Sequence, residues 1–178
     1  MKHTLWITAG LSAFVLLLVG CQGRVLRPPI ALAPKVDIPR MMGDWYVIAN
    51  IPTFIEKGAH NAVESYHRDP DGTIATTFTF RAGSFQGAAK RYQPRGFVRD
   101  EQGAVWGMRF VWPFKADYRI VHLAEDYRHI IVGRQARDYV WIMARTPSIP
   151  EADYQQLVAI VAAQGYDLGQ LERVPQRW

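Results

Sequence analysis

The sequence predicts an all-β fold of short antiparallel strands, followed by one C-terminal α-helix and preceded by a removable N-terminal segment. Three observations carry that prediction. Between Gly43 and Arg145, runs rich in aromatic and β-branched residues recur between turn signals, at roughly the 8–12 residue spacing of a sandwich or barrel. Two of those runs alternate cleanly between apolar and polar side chains, the period of a strand with one buried face. Beyond them the apolar residues switch to helical spacing.

The chain opens with Lys2 and His3, then an apolar run from Leu5 to Gly20 that lacks any acidic side chain, the layout of an export signal. The run is shorter than the ~20 residues a membrane-spanning helix needs, and it gives way at once to Gln22, Gly23 and Arg24. It closes on Cys21, the only cysteine in the chain, so an internal disulfide is excluded. Residues 1–20 are therefore expected to be a signal peptide. Residues 21–39 are expected to be an extended tether, because Pro28, Pro29, Pro34 and Pro39 punctuate a stretch with little apolar periodicity. Residues 40–178 then form one domain without a second linker. The formal charge of +5 suits an anionic membrane surface. Nucleic acid, the other usual partner of a basic protein, would not be met by an exported chain.

The strand candidates are Trp45–Ile51, Ala62–Arg68, Thr73–Arg81, Ala88–Gln93, Gly96–Asp100, Ala104–Trp112, Tyr118–Ala124, His129–Gln135 and Tyr139–Arg145. Asp69-Pro70-Asp71-Gly72 and Asp100-Glu101-Gln102-Gly103 have hairpin-loop composition, and Arg137-Asp138 marks another tight turn. A meander is the simplest connection. Trp106, Met108, Phe110 and Trp112 share one strand face; Ile74, Thr76, Phe78 and Phe80 share another. In an open sheet these faces would form an ordinary core. In an eight-stranded barrel they would face a lumen, either filled by side chains or open to one small ligand, and periodicity does not separate the two. Ser148-Ile149-Pro150-Glu151 has the form of a capping box. Tyr154, Leu157, Val158, Val161 and Ala162 follow at helical spacing, and Gly165 stands where a helix-ending glycine would. The segment Leu168–Val174 leaves room for one more strand.

Met42-Gly43-Asp44-Trp45-Tyr46 opens the first strand, the glycine easing a tight backbone turn and Trp45 bringing a large ring to the strand start. Glu125-Asp126-Tyr127 and Trp141-Ile142-Met143-Ala144-Arg145-Thr146-Pro147 follow in order. Together these segments resemble the signatures of the lipocalins over roughly residues 38–174, with Glu125 standing where that family usually has threonine or aspartate. Phe54-Ile55-Glu56-Lys57-Gly58, Pro113-Phe114 and Asp126-Tyr127-Arg128-His129 make the chain most similar to the bacterial outer-membrane lipoprotein branch of that family. The resemblance implies an eight-stranded antiparallel up-and-down β-barrel with the helix packed on its wall. It further implies that Gly43, Trp45, Asp126, Tyr127 and Arg145 are structural, with Arg145 stacked on Trp45 at the closed end. Ligand would enter at the other end, under the loop from Pro52 to His60. Leu18-Val19-Gly20-Cys21 resembles a lipobox, which makes Cys21 the lipidation site, and Gln22 after it implies the outer membrane of a bacterial envelope.

The expected function is therefore binding: a membrane-anchored cup holding a fatty acid or lysophospholipid, without cofactor or metal. The resemblance also implies pairing of two copies across the open end. Strand parity selects Trp106, Met108, Phe110 and Trp112, with Ile74, Phe78, Phe80, Tyr66 and Val47, as cavity lining. Glu64 stands where relatives tend to carry a small residue, and a carboxylate facing the lumen would oppose a purely apolar ligand. Arg91, Arg95 and Lys115 are candidates for a head group. An enzyme is the competing class, since some relatives transform their ligands. The chain holds no G-x-S-x-G elbow, H-E-x-x-H pair or phosphate loop, and His60, His67, His122 and His129 lack metal-ligand spacing, which leaves Glu64 as the one catalytic opening. A structural lipoprotein with a filled barrel is the third reading.

Overall fold

The computed structural model describes residues 27–178; the expected signal peptide and Cys21 lie outside the described residues. The strands are β1 (Gly43–Ile51), β2 (Ala59–Arg68), β3 (Ile74–Ala82), β4 (Ala89–Tyr92), β5 (Arg95–Val98), β6 (Val105–Val111), β7 (Phe114–Leu123), β8 (His129–Gly133), β9 (Val140–Ala144) and β10 (Glu172–Arg173). The antiparallel order is β1-β2-β3-β5-β6-β7-β8-β9, with β4 also on β3, and β1 pairs with both β2 and β9, so the sheet closes on itself and has no long free edge. β4 and β5 are two halves of one barrel strand: β4 pairs with β3 at Phe78↔Tyr92 and β5 at Ile74↔Gly96. The break falls at Gln93-Pro94, where proline has no N–H to donate to a ladder; its carbonyl accepts from the Thr76 N–H at 3.1 Å instead. The closed barrel thus has eight strands, as the sequence led us to expect.

Most strand limits fall within a few residues of the expected ones. β7 starts at Phe114, ahead of the expected Tyr118, because the hairpin after β6 closes tightly with Val111 opposite Phe114. The final segment supplies only the short β10, which covers β1 at Ala49 and Asn50 beyond the stretch that β2 pairs.

Alternation divides the apolar residues between two cores. Inward side chains, among them Trp45, Tyr66, Ile74, Trp106, Tyr118 and Met143, fill the barrel's lower half. Outward side chains Val121, Ile131, Val140 and Ile142 meet Tyr154, Leu157 and Val161 of α2 (Glu151–Ala163). The expected capping box is not formed. Pro150 occupies the cap position without a side-chain bond, and the Glu151 carboxylate accepts from Arg173 at 2.6 Å and Gln155 at 2.7 Å. The helix begins at Glu151 itself, so Ser148 lies outside the cap position, and the Glu151–Arg173 pair ties β10 to α2. Gly165 does end the helix, at φ +84°.

The expected free tether is shorter than its prolines suggested. Residues 28–37 lie along the barrel wall, with Ile30, Ala33 and Val36 buried. The Pro28 carbonyl accepts from Arg137 at 2.8 Å, Ala33 N–H donates to Ile120 at 2.9 Å and Val36 N–H to Gln102 at 2.8 Å. This strap runs from the β8–β9 turn at one barrel end to the β5–β6 turn at the other. It then turns into α1 (Ile38–Met41), capped by the Asp37 carboxylate.

That second end is closed. Arg145 stacks over Trp45, 3.8 Å from the ring centroid, and donates to the carbonyls of Asp44 at 2.9 Å and Arg40 at 2.8 Å. Trp45 Nε1 donates to Met41 at 2.9 Å. Gly43 holds φ +95°, and an added Cβ would sit 3.4 Å from Arg145 Nη1. Tyr127 stacks under Arg40 and its hydroxyl accepts from the Asp37 N–H. Asp126 only caps its own turn, through the Arg128 N–H and guanidinium. Arg145→Ala should therefore cost about 2 kcal/mol, from a lost stack and two charge-assisted bonds. Urea unfolding would measure it, with affinity for a cavity ligand expected to stay at the wild-type value.

Candidate functional site

The barrel's lower half is filled because its rings pack in a layer. Trp106 stacks on Tyr118 with centroids 5.4 Å apart and meets Tyr66 edge-on at 5.7 Å. Gly96 makes room for it: a Cβ there would lie 3.2 Å from Ile74 and 3.3 Å from the Trp106 ring. Above this layer the strands continue, and the rings there line the wall and rim of an open space. The space left is a cavity of about 450 Å3, open at the end formed by the β1–β2, β6–β7 and β8–β9 turns, within the size range of small-molecule sites.

Phe78, Tyr92, Met108 and Trp141 form the cavity wall, Tyr118 and Glu64 the inner end, and Phe54, Ile55, Phe110, Val111 and Tyr139 the rim. The lining is apolar apart from a few groups, and three of those are carboxylates: Glu64, Glu56 and Asp117, the last paired with Arg119 at 2.9 Å. Glu64 sits on β2 opposite Phe78. Burial is the chief cause that pushes its carboxyl up to about 7; a bond from Tyr66 opposes the shift and the nearby Glu56 adds to it. Tyr66 and Tyr118 are hydroxyl-bonded to each other, and burial raises both phenols well above their usual range. Tyr118, Tyr66 and Glu64 thus form a polar chain at the cavity's inner end. Glu56 folds in from the rim loop and accepts from Asn50 at 3.0 Å and Trp141 at 2.9 Å. Burial raises its carboxyl too, against the lowering effect of those bonds.

The structure distributes the expected lining residues over three levels. Met108, Phe78 and Glu64 face the cavity, and Phe110 stands at its rim. Trp106, Ile74, Tyr66, Phe80 and Val47 are buried in the packed interior and do not line the cavity. Trp112 lies past the end of β6 and is 79% exposed, because the ladder slips between Met108 and Val111 and the parity that held for Trp106 and Met108 ends there. Of the head-group candidates, Arg95 is at the closed end, paired to Asp69 at 2.9 Å. Lys115 lies over the Phe97 ring on the outer face, 3.6 Å from its centroid. Arg91 is exposed on β4.

Sequence reasoning missed Glu56, Trp141, Tyr92 and Tyr118. Glu56 was in an apparent surface loop. Trp141 was hidden because β9 is buried on both faces, Val140 and Ile142 against α2 and Trp141 and Met143 inside, so no alternation shows. Among the described residues no cluster of three His, Cys, Asp or Glu side chains could hold a metal.

A closed eight-stranded barrel, filled below, hollow above and open at one end, defines the class of cup-shaped barrel proteins. The chain belongs to the lipocalin family: the lipocalin-like domain model matches residues 36–176. It is 31% identical over 148 residues to temperature-induced lipocalin-1 of Arabidopsis thaliana, covering 79% of this chain and 80% of that one. It is 29% identical to the outer membrane lipoprotein Blc of Citrobacter freundii over 170 residues, 96% of this chain and 95% of that one. The fold is shared with insecticyanin of the tobacco hornworm, at a TM-score of 0.64 and 11% identity over 83% of this chain and 84% of that one. The cockroach allergen Per a 4 shares it as well, at 0.62 and 19% over 83% and 94%.

Glu64 makes stability depend on pH. Its carboxyl ionises at about 7 in the fold and at 4.5 ordinarily, so between those values the folded chain keeps a proton the unfolded chain has lost. Stability therefore falls as pH rises from 4.5 to 7 and stays lowered above it. Glu64→Gln should be more stable than wild type by about 2–3 kcal/mol at pH 8.5, with the gain vanishing near pH 4.5. Paired urea titrations would read this, and an equal gain at both pH values would refute it.

Proposed function

We propose that this chain is a membrane-anchored lipid-binding protein that holds one fatty acid or lysophospholipid in its barrel and carries it within a bacterial envelope. The observation that carries this reading is the hollow upper half: about 450 Å3 lined mainly by Phe78, Tyr92, Met108 and Trp141 and open at one end. An acyl tail placed there gains about 25 cal/mol for each Å2 removed from water, while a head group can stay at the open rim. Relatives that are outer membrane lipoproteins support the envelope location. The lipobox-like Leu18-Val19-Gly20-Cys21 supports a lipid anchor on Cys21. A barrel packed throughout, as a purely structural lipoprotein would have, is disfavoured by the same hollow. An isomerase-like reading has Glu64 in its favour, but the group bonded to that carboxyl is Tyr66 of the packed layer, itself bonded to Tyr118.

Native mass spectrometry of the mature protein should show one-to-one adducts with long-chain fatty acids or lysophosphatidylcholine. No adduct with either would sink the carrier reading, and conversion of a bound lipid would favour an enzyme. The tail would displace water from Glu64, and the neutral acid tolerates that far better than the carboxylate. Affinity for lysophosphatidylcholine should therefore rise several-fold from pH 8.5 to pH 6, with proton uptake on binding above pH 7. In Glu64→Gln the profile should be flat; calorimetry in two buffers of different ionisation enthalpy would measure both.

A further inference from the structure

We infer that the mouth of the barrel is a bilayer-docking face, so that the cup opens onto the membrane surface. The inference rests on the anchor reading of Cys21. It goes beyond that reading by fixing which end meets the lipid.

The first observation is an apolar cluster. Phe54, Phe110, Val111, Trp112 and Phe114 are 85%, 56%, 68%, 79% and 76% exposed, and they account for most of the large apolar side chains that the described surface leaves in water. Singly exposed apolar residues need no explanation, whereas a cluster marks a partner. Phe54, Phe110 and Val111 share one cavity rim, and Trp112 and Phe114 sit in the β6–β7 turn beside them. A tryptophan at such a tip suits the headgroup level of a bilayer.

The second observation is charge. The three turn regions at residues 52–58, 83–94 and 109–116 carry Lys57, Lys90, Arg91, Arg109 and Lys115. Glu56 is their only acid, and it is buried. Asp138, in the fourth turn, is paired with Arg134 at 3.0 Å, and Asp117, one residue past the third region, with Arg119 at 2.9 Å. An apolar tip ringed by unopposed cations complements an anionic bilayer; a second copy would bring the same cations against these.

The third observation is where the strap begins. Pro28 is bonded to Arg137 and Gln135 of the β8–β9 turn, at the mouth. From Cys21 to Pro28 the chain can span at most ~24 Å. A ten-residue strand spans about 33 Å, or ~25 Å of barrel height at the usual tilt, before the closed-end turns and α1 are added. With the mouth turned away from the membrane, seven residues at full stretch would fall short. With the mouth toward it, they reach with slack.

The test uses the mature lipoprotein in vesicles of phosphatidylglycerol and phosphatidylethanolamine with brominated acyl chains, read by tryptophan quenching after sedimentation. Quenching is expected, with most of it lost in Trp112→Phe and retained in Trp178→Phe, whose ring lies against Tyr46 on the wall. The difference between the two variants excludes quenching of Trp141 by a lipid inside the cavity. Sedimented protein whose quenching ignores Trp112 would overturn the docking while leaving the carrier intact. Protein left in the supernatant would overturn the docking and the anchor together. Cross-linking of two mouths on the vesicle would also overturn it, in favour of a second copy. Adduct formation in the mass spectrometer is independent of all three results.

Discussion

The depth of the cup is decided by one steric fact: Trp106, Tyr66 and Tyr118 cannot share the barrel's cross-section with anything else. They pack ring against ring at mid-height, Gly96 having given up its side chain to admit them, and Trp45 under Arg145 seals what lies below. The cavity, the orientation of its opening and the position of Glu64 at its inner end all follow from where that layer stops. A barrel of the same strand number without those rings would be a deeper and wetter vessel. The resemblance and the alternation of Trp106 and Met108 made the barrel and its inward face legible from sequence, but not the height of the layer. That height depends on how three rings from β2, β6 and β7 meet across the lumen, a contact between residues far apart in the chain.

Other features of the sequence were legible to the extent that they were local. The hairpin at Asp69–Gly72, the helical stripe of Tyr154, Leu157 and Val161, and the helix-ending Gly165 depend on neighbours a few residues away. The capping box at Ser148 failed because the helix begins later than the motif implies, with Pro150 at the cap and Glu151 as its first residue, and Glu151 pairs instead with Arg173. The parity that selected Trp112 assumed an unbroken ladder, and the slip after Met108 ended it past Phe110, which still reaches the rim. The tether was misjudged for a related reason: prolines forbid helix and disfavour a ladder, but they do not prevent a chain from lying flat on a wall and burying Ile30, Ala33 and Val36 there.

Carboxyls in an apolar cavity are costly groups to keep, and Asp117 is offset by its ion pair with Arg119. Glu56 has donors to offset that cost, Asn50 and Trp141, and these tie the rim loop to the ends of β1 and β9; it holds the mouth in shape. Glu64 has only the tyrosine chain below it. The difference separates a carboxyl used as a fastener from one whose charge state is free to answer what enters the cavity.

The strap along the wall has a mechanical side. A load applied through the N-terminus would not pull β1 out of its ladder in shear, where many bonds share the force. It would first lift Pro28 away from Arg137, then Ile30, then Ala33, each contact yielding in turn. Peeling the nine residues from Pro28 to Val36 lengthens the leash by about 30 Å while the barrel, closed at Arg145 and Trp45, stays whole. The strap is in that sense stored rope: laid along the wall it keeps the cup close to its mooring, and under load it lets the cup move about a barrel's length away without unfolding.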